Sequence, residues 1–206
     1  MYARSTTFTD RPGAIDAGIA MVRDEVLPAV QEMDGCIGMS MLVSRDTGGC
    51  IITSAWASTE AMRASAPQVA PLRERAEQLF GSRPQVREWE VAVLHRVRPT
   101  VEGACARVTW TQVDPALVDM QLETFRSGVL PRMEDLPGFC SVSLMADRDT
   151  GRSAVSTVYE NRHALDRSRE EAADLRTLVA REMQMEVLDV AEFEVALAHL
   201  RVPETV

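Results

Sequence analysis

Apolar residues recur every three or four positions in two stretches of the chain, which is the spacing of one face of a helix. The first stretch comprises Ile15, Ile19, Val22, Val26, Val30 and Met33, and the second, 103 positions later, comprises Val118, Leu122, Phe125, Val129, Met133 and Leu136. Each predicted helix opens beside an aspartate, Asp10 or Asp114, and closes at a glycine, Gly35 or Gly138. A proline inside each pattern is expected to kink the last turns.

Strand-like segments surround these helices. Tyr2–Phe8 and its copy Cys105–Thr111 are rich in threonine and aromatic residues, which favour strands. Residues 36–44 and 49–57 form a predicted hairpin, with a tight turn at Asp46-Thr47-Gly48 that is repeated 103 positions later. Both halves of the chain therefore begin with a strand, a helix and a hairpin.

A second helical region follows each hairpin. Residues 58–80 contain Pro67 and Pro71, which are expected to break the helix into two pieces. The copy at 162–183 contains no proline and is predicted to be one continuous helix. The last predicted strands are 86–95 and 189–200. Each half thus has the order β-α-β-β-α-β, which is the ferredoxin-like arrangement.

The two halves are copies of one unit. Residues 3–65 align without a gap to 106–168, with 17 identities in 63 positions. After one extra residue the match resumes, with Trp89-Glu-Val-Ala-Val-Leu-His95 against Phe193-Glu-Val-Ala-Leu-Ala-His199. We therefore predict two domains, residues 1–100 and 101–206.

A single ferredoxin-like sheet carries helices on one face, so its other face must also be covered. A duplicated unit covers that face within one chain if the two sheets close into a barrel with the helices outside. The predicted fold class is therefore α+β, with two tandem ferredoxin-like βαββαβ repeats forming an intramolecular, pseudo-dimeric α/β barrel. We expect the full chain to be a monomer or a homodimer.

Composition narrows the functional classes. The net charge is −9, which disfavours nucleic acid as a partner. All 22 basic residues are arginine, so catalysis by a lysine is excluded. The sequence shows neither an apolar run long enough to span a membrane nor a signal-like segment, and the expected location is the cytoplasm. The four cysteines are expected to be thiols.

The sequence resembles the antibiotic-biosynthesis-monooxygenase type of the dimeric α/β-barrel superfamily. The resemblance is carried by the Val-Leu-Pro…Gly helix ends, the hairpin, and the strand-to-helix junctions Ser54-Ala-Trp-Ala-Ser-Thr-Glu-Ala-Met62 and Tyr159-Glu-Asn-Arg-His-Ala-Leu165. It covers essentially both halves. It implies a ferredoxin-like fold and either a small-molecule site, quinone-forming oxygenation without a cofactor, or haem degradation.

The resemblance also maps functional positions onto this chain. The family's asparagine on the first strand falls near Arg4 and Arg107. Its helix tryptophan falls near Ser65 and Ser168. Its haem-ligand position falls near Arg75 and Leu178, neither of which ligates iron. We therefore expect no haem, no metal and no other cofactor.

Arg4 and Arg107 are the leading candidates for catalysis or binding. A charge in the middle of a central strand is buried and needs a partner. One interpretation is an ion pair within each sheet, with Glu90 and Glu194 as the partners. The other is that the guanidinium faces a cavity between sheet and helices and holds a carboxylate or phenolate of a ligand.

Other candidates are weaker. His95 and His199 end the last strand of each repeat and could act as general bases or simply be polar strand termini. Aromatic or hydroxyl groups that could contact a ligand are Trp56, Trp110, Tyr159, Ser65 and Ser168.

Three functions remain open from the sequence. The first is binding of a hydrophobic or aromatic small molecule, without assured turnover. The second is a cofactor-independent monooxygenase acting on a polyphenol or quinol. The third is a structural or assembly module with a filled barrel. A cavity of a few hundred cubic ångströms with an arginine at its wall would favour the first two. Gaps filled by Met39, Met41, Leu144 and Met145 would favour the third.

Overall fold

The computed structural model describes residues 1–9 and 11–200. The strands of the first repeat are β1 (Tyr2–Phe8), β2 (Cys36–Val43), β3 (Cys50–Trp56) and β4 (Gln85–Arg96). Its helices are α1 (Ile15–Met21), α2 (Leu27–Gln31), α3 (Thr59–Ala64) and α4 (Ala66–Phe80). None of the helices in the described residues is both long and apolar enough to cross a membrane.

The second repeat has the same order of elements. Its strands are β5 (Cys105–Gln112), β6 (Phe139–Asp147), β7 (Arg152–Tyr159) and β8 (Glu186–Leu200). Its helices are α5 (Val118–Thr124), α6 (Leu130–Glu134), α7 (Arg162–Arg167) and α8 (Arg169–Glu182). The hydrogen-bonded strand order is β1-β3-β2-β8-β5-β7-β6-β4, and it closes on itself. The predicted α+β fold with a closed eight-stranded barrel is confirmed.

The chain forms two compact units whose borders fall inside the last strands. The N unit comprises residues 1–89 and the end of β8 from Glu194 onward, and the C unit comprises Glu90–Phe193. Within the N unit, β2 pairs with β8 from Gly38–Leu200 to Val43–Glu194. Within the C unit, β4 pairs with β6 from Glu90–Ala146 to Arg96–Ser141. The division into repeats 1–100 and 101–206 stays a prediction.

Each helix in which a kink is expected contains a π-helical turn just before its proline. Residues Val22–Val26 and Phe125–Val129 are π-helical, and the amide of Leu27 or Leu130 donates to a carbonyl five residues earlier. The proline that follows, Pro28 or Pro131, lies at the start of the next helical segment, where a missing N–H is tolerated.

The ends of this helix are set as predicted where the structure describes them. The Asp114 side chain accepts a hydrogen bond from the Ala116 amide at the N-terminus, while Asp10 lies outside the described residues. Gly35 has φ +78° and Gly138 has φ +68°, so both occupy the left-handed region that favours glycine.

The second helical region agrees with the prediction in part. Pro71 lies inside α4 without breaking it, and the break falls instead at Ser65. In the second repeat the helix predicted to be continuous over 162–183 is also broken, at Ser168. The predicted division of 58–80 into two helices is therefore confirmed, with the break two residues before Pro67, whereas the prediction of one continuous helix over 162–183 was wrong.

The common cause is a buried arginine. The carbonyl of Met62 accepts from Arg4 Nη2 at 2.7 Å and from the Ser65 hydroxyl at 2.7 Å. The carbonyl of Leu165 accepts from Arg107 Nη2 at 3.0 Å and from the Ser168 hydroxyl at 2.8 Å. Each helix therefore gives up a regular backbone bond to hold a guanidinium.

Candidate functional site

Each unit has a cavity between its strands and its helices. The C cavity, in the C unit, has a volume of about 90 Å³, and the N cavity, in the N unit, has a volume of about 50 Å³. Both are smaller than the few hundred cubic ångströms expected for a ready-made site. Met39 and Leu144, two of the side chains expected to fill such gaps, lie at the walls of the N and C cavities respectively.

Apolar side chains form most of the C cavity wall. They come from the first helix, the strands and α8, and are Phe125, Val129, Met133, Leu136, Leu144, Val155, Ala172, Leu175, Val179, Met183 and Met185. Three of these are methionines, whose unbranched side chains adapt readily to a bound molecule. The wall is therefore apolar and adaptable.

Arg107 lies at one end of the C cavity and is only 4% exposed. Its Nη1 donates to Tyr159 Oη and Ser168 Oγ, each at 3.1 Å. Its Nη2 donates to the Leu165 carbonyl and to Glu192 Oε1, each at 3.0 Å, and Nε donates to the same Glu192 oxygen at 3.3 Å. A guanidinium has five N–H donors, so protein groups occupy all of them.

The expected ion-pair partners of the strand arginines were wrong. Arg107 pairs with Glu192 and Arg4 pairs with Glu88, each two residues before the predicted glutamate. Because side chains alternate between the two faces of a strand, a shift of two keeps the same face and moves the carboxylate along the strand.

Glu90 and Glu194, the glutamates predicted to pair with the strand arginines, instead bind the arginines of the hairpin turns. Glu90 binds Arg148, which also reaches Asp119, and Glu194 binds Arg45 in the same way. The Arg-Asp-Thr-Gly turn therefore contributes an ion bridge as well as a hairpin. Its last residue, Gly151, has φ +71°, and a Cβ there would meet the Val113 carbonyl oxygen at 2.1 Å.

Glu192 binds three arginines, of which Arg107 lines the C cavity. Besides Arg107 it binds Arg169 at 2.8 Å and Arg162 at 3.2 Å. Burial alone would raise the pKa of Glu192, but hydrogen bonds from Arg169 and Arg107 hold it below its usual range. Glu192 is therefore a carboxylate anion that binds several cations.

Arg176 is a site residue that sequence reasoning missed. It lines the C cavity from α8, and within the described part of the chain no carboxylate forms an ion pair with it. Burial, and then the positive charge of Arg107, lower the pKa of Arg176 from its ordinary value. A signal was present in the sequence, because Arg176 and Arg73 are identical residues 103 positions apart.

Tyr159 is the one predicted aromatic contact that lines a described cavity. It is 1% exposed, and the Arg107 guanidinium lies 5.4 Å from its ring centroid as well as donating to its hydroxyl. Burial raises the pKa of Tyr159, so the phenol is neutral at neutral pH and can donate a proton in a hydrogen bond.

Hydrogen-bonding groups also lie on the α5 side of the C cavity. Thr111 Oγ1 and Ser153 Oγ are 3.0 Å apart, and Gln121 Nε2 donates to Ser153 Oγ at 3.3 Å. Gln121 and Thr111 line the cavity although they are 6% and 1% exposed. The C cavity thus combines an apolar wall with two groups of polar side chains.

The N cavity has a related arginine arrangement. Arg4 donates to Ser65 Oγ at 3.1 Å, to the Met62 carbonyl and to Glu88 at 2.9 Å. Arg73 lines the cavity, and its buried Nε has no hydrogen-bond partner among the described residues. Burial and Arg4 lower the pKa of Arg73, while Glu88 acts in the opposite direction.

The remaining candidates lie apart from these cavity walls. Trp56 is fully buried and donates to Ser54 Oγ at 3.0 Å, and Trp110 packs edge-on against Phe193. His95 Nε2 lies 2.9 Å from Glu134 Oε1, and His199 faces Met39 across the β2–β8 pair. Ser65 and Ser168 accept hydrogen bonds from Arg4 and Arg107 respectively, and neither serine lines a cavity.

No cluster of three or more metal-binding side chains occurs among residues 1–9 and 11–200. The four cysteines, all within the described residues, form no disulfide. Within the same described residues, the polar groups available at the cavities are therefore guanidinium, hydroxyl and amide groups.

Comparison with known proteins agrees with this architecture. The model of a family described as antibiotic biosynthesis monooxygenase matches residues 1–66. Two uncharacterized proteins of Mycobacterium tuberculosis strain H37Rv, Rv2558 and Rv2557, are 53% and 51% identical to the chain. The alignments cover all of this chain and 88% and 92% of those proteins.

Solved structures show the same fold at low sequence identity. A proposed monooxygenase of Fusobacterium nucleatum has a TM-score of 0.72 at 15% identity, covering 97% of this chain and 94% of that one. An anthrone oxidase-like protein has a TM-score of 0.67 at 12% identity, covering 97% and 91%. A ferredoxin-fold protein of Listeria monocytogenes, related to antibiotic biosynthesis monooxygenases, has a TM-score of 0.53 at 6% identity, covering 94% of each.

Proposed function

The chain belongs to the antibiotic-biosynthesis-monooxygenase-like family as a tandem duplication, and from that premise we propose that its C cavity binds a small, flat, largely apolar molecule. The observation that carries the proposal is the composition of this cavity. An apolar, methionine-containing wall ends at a few polar groups, which is the usual make-up of a small-molecule site.

The size of the C cavity limits the ligand. Its volume of about 90 Å³ is below the roughly 150 Å³ of an engineered cavity that takes up benzene. A single aromatic ring can enter once Met133, Met183 or Met185 changes rotamer, which costs a flexible thioether little. We therefore propose a ligand whose buried part is one substituted ring.

The N unit is proposed to be the structural half of the molecule. Its cavity is smaller, and the stacked rings of Phe8 and Phe80, with centroids 4.6 Å apart, occupy one end. Of the functions left open by the sequence, we therefore propose the structural role for the N unit and small-molecule binding for the C unit.

Methionine-methyl NMR on the full chain tests the binding proposal. Nitrobenzene and benzoate serve as single-ring probes, and the signals of Met133, Met183 and Met185 report on the C cavity. We expect saturable shifts of these signals, while those of Met21 and Met39 in the N cavity change little.

Two matched variants localise the response. Ala172→Phe places a ring in the C cavity and should abolish the shifts, whereas Val69→Phe, the equivalent change in the N cavity, should leave them intact. Shifts that survive Ala172→Phe, or no saturable shift with either probe, would contradict the proposed function.

A second function, oxygenation of a phenol without a cofactor, is favoured by the two guanidinium groups of Arg107 and Arg176 beside an apolar wall. Fixed positive charge in a water-poor site stabilises a phenolate, which can itself reduce dioxygen. One 2,6-dimethylphenol and one dioxygen would give one dimethylbenzoquinone and one water, with the phenol as the electron donor.

Isotope labelling tests this reaction. Under ¹⁸O₂, the proposal requires one labelled oxygen in the quinone and a rate that falls in Ala172→Phe but not in Val69→Phe. A rate equal to that of the protein-free solution would exclude this activity and leave the binding proposal standing.

A further inference from the structure

We infer that Arg176 anchors the ligand of the C cavity, and that this ligand is an anion, namely an aromatic ring bearing a carboxylate or a phenolate oxygen. The inference rests on the proposed function, because it identifies the chemistry of the molecule that the C cavity takes up.

Arg107 cannot be the anchor without losing contacts that it already has. Its five N–H donors are engaged by Tyr159, Ser168, Leu165 and Glu192. A ligand oxygen that took one of these donors would leave a buried protein acceptor unsatisfied, which costs about 1–3 kcal/mol. Arg107 is therefore a positioning residue that shapes the end of the cavity.

Arg176 has the opposite environment. It faces the same apolar cavity, and no ion pair or hydrogen bond joins it to another of the residues that the structure describes. Its half-buried guanidinium lies close enough to Arg107 for the two charges to repel. An anion in the cavity would relieve this repulsion and would also meet the donors of Arg176.

The ion pairs around Glu192 leave the C cavity short of negative charge. Arg107, Arg162 and Arg169 share Glu192, and Asp166 is a further carboxylate partner of Arg169. Arg176 therefore adds a positive charge that these carboxylates do not pair with. This local excess of positive charge stands out in a chain whose net charge is −9.

The equivalent residue of the N cavity supplies a control. Arg73 also lines its cavity, but the carboxylate of Glu88 acts on it as well as Arg4. Among the charges that shift the pKa of Arg176, no carboxylate takes part. The two arginines thus differ in the carboxylate that acts on Arg73 and in the size of the cavity that each lines.

A matched pair of probes tests the inference. Benzoate and nitrobenzene have the same planar shape, and only benzoate is charged. In calorimetric titrations at low salt we expect benzoate to bind the full chain about tenfold more tightly than nitrobenzene, as a charge-assisted contact should. Arg176→Gln should remove this preference, chiefly by weakening benzoate, and Arg176→Lys should restore most of it.

Arg73→Gln is the matched control and should leave both affinities unchanged. Because Arg176 has no protein partner in the described structure, Arg176→Gln should also keep the thermal midpoint of the wild type, which verifies folding independently. Added salt should weaken benzoate more than nitrobenzene.

The possible outcomes distinguish a failure of this inference from a failure of the proposed function. If Arg176→Gln keeps the benzoate preference, the anchor lies elsewhere and the inference is overturned, while nitrobenzene binding still supports the proposed function. If wild-type protein binds nitrobenzene as tightly as benzoate, the ligand need not be anionic and the inference again fails. If neither probe binds, both the function and the inference fall.

Discussion

The N and C cavities occupy the same positions of the duplicated unit, yet their side chains differ as a group. In the N cavity, Phe80 stacks on Phe8 and fills the space beside Gly18, where a Cβ would come within 2.4 Å of the Phe80 ring. The equivalent residues of the C cavity are Met183, Thr111 and Gln121. An aromatic plug in one half is thus replaced by a flexible chain and two hydrogen-bonding groups in the other.

The two cavities also differ in how far nearby carboxylates compensate the charge of their arginines. Glu88 is 40% exposed and pairs with Arg4, and it also offsets the charge on Arg73. In the C unit, Glu192 is 21% exposed and binds three other arginines, which leaves Arg176 uncompensated. Both halves therefore hold a buried arginine in the same way, while the C cavity has the larger volume and the fewer compensating carboxylates.

The largest expected effect concerns whether either half exists alone. Fragment 1–100 lacks Glu194–Leu200, which pairs with β2 in the N unit, and fragment 101–206 lacks Glu90–Arg96, which pairs with β6 in the C unit. Each fragment would expose unpaired strand edges and an apolar sheet face, so we expect aggregation or dimerisation. Size-exclusion chromatography and urea unfolding measure this.

A soluble, monomeric fragment 1–100 that unfolds cooperatively would contradict the intramolecular barrel. It would also mean that the two cavities can be studied as separate proteins, which the shared last strands argue against.

The next effect compares the two buried arginines. Arg107→Met leaves Glu192 with one partner fewer and several buried acceptors unsatisfied, so the free energy of unfolding should fall by about 3–5 kcal/mol. Arg4→Met should cost less, about 1–3 kcal/mol, because Glu88 is more exposed and can be hydrated. Urea midpoints of the two variants measure the difference.

Arg45→Met is the control for this pair, since its ion bridge to Asp16 and Glu194 is exposed and should contribute at most about 1 kcal/mol. If Arg4→Met and Arg107→Met lower the free energy of unfolding equally, the two buried arginines stabilise their units to the same extent, which would contradict the expected difference.

A smaller effect is expected when the aromatic plug of the N cavity, formed by Phe8 and Phe80 beside Gly18, is copied into the C cavity. Thr111→Phe, Gln121→Gly and Met183→Phe together copy the N cavity's side chains into the C cavity. The triple variant should stay folded, because the same three residues pack in the N unit, and it should lose benzoate binding in the methionine-methyl NMR titration. Retained binding at wild-type affinity would show that the plug does not decide which cavity is open.

The smallest effect is a pH dependence tied to Cys50, whose equivalent in the C unit is Ser153. Burial raises the pKa of the Cys50 thiol from 9.0 to about 12. Between these values the unfolded chain has lost the proton that the folded protein keeps, so stability falls as pH rises from about 9 to about 12, by at most about 1.4 kcal/mol per pH unit. Below pH 9 this contribution is fully present.

Cys50→Ser should flatten this part of the stability curve, which urea unfolding at pH 8 to 11 would show. The chain has no lysine whose titration would mask the effect. An unchanged slope would place the alkaline loss on other groups, such as Tyr159.

Much of the architecture could be predicted from the sequence, because the repeat and its hydrophobic spacing fix the order of elements. The hairpin glycines and the helix-ending glycines follow from local backbone chemistry. The helix break at Ser168 could not be found in this way, since it accompanies a contact from Arg107, 61 residues earlier, to the helix carbonyl of Leu165. Proline, the local signal, predicted the division of 58–80, where Pro67 lies in the first turn of α4, but gave no signal for the division of 162–183.

The site was predictable in part. Arg4, Arg107 and Tyr159 were identified from the repeat and do lie at the cavities. Their glutamate partners were displaced by two residues, because sequence cannot fix the register between β1 and β4 or between β5 and β8. Arg176 requires knowledge of which face of α8 meets the sheet, and the Gly18, Phe8 and Phe80 plug requires three-dimensional contact.

The most direct test of the central claim, that the C cavity alone is a ligand site, is a crystal structure of the full chain soaked with benzoate. We expect one ordered benzoate per chain, with its ring against Phe125 and Val155 and its carboxylate within hydrogen-bond distance of Arg176. Benzoate in the N cavity between Val69 and Ile52, or equal occupancy of both cavities, would contradict it.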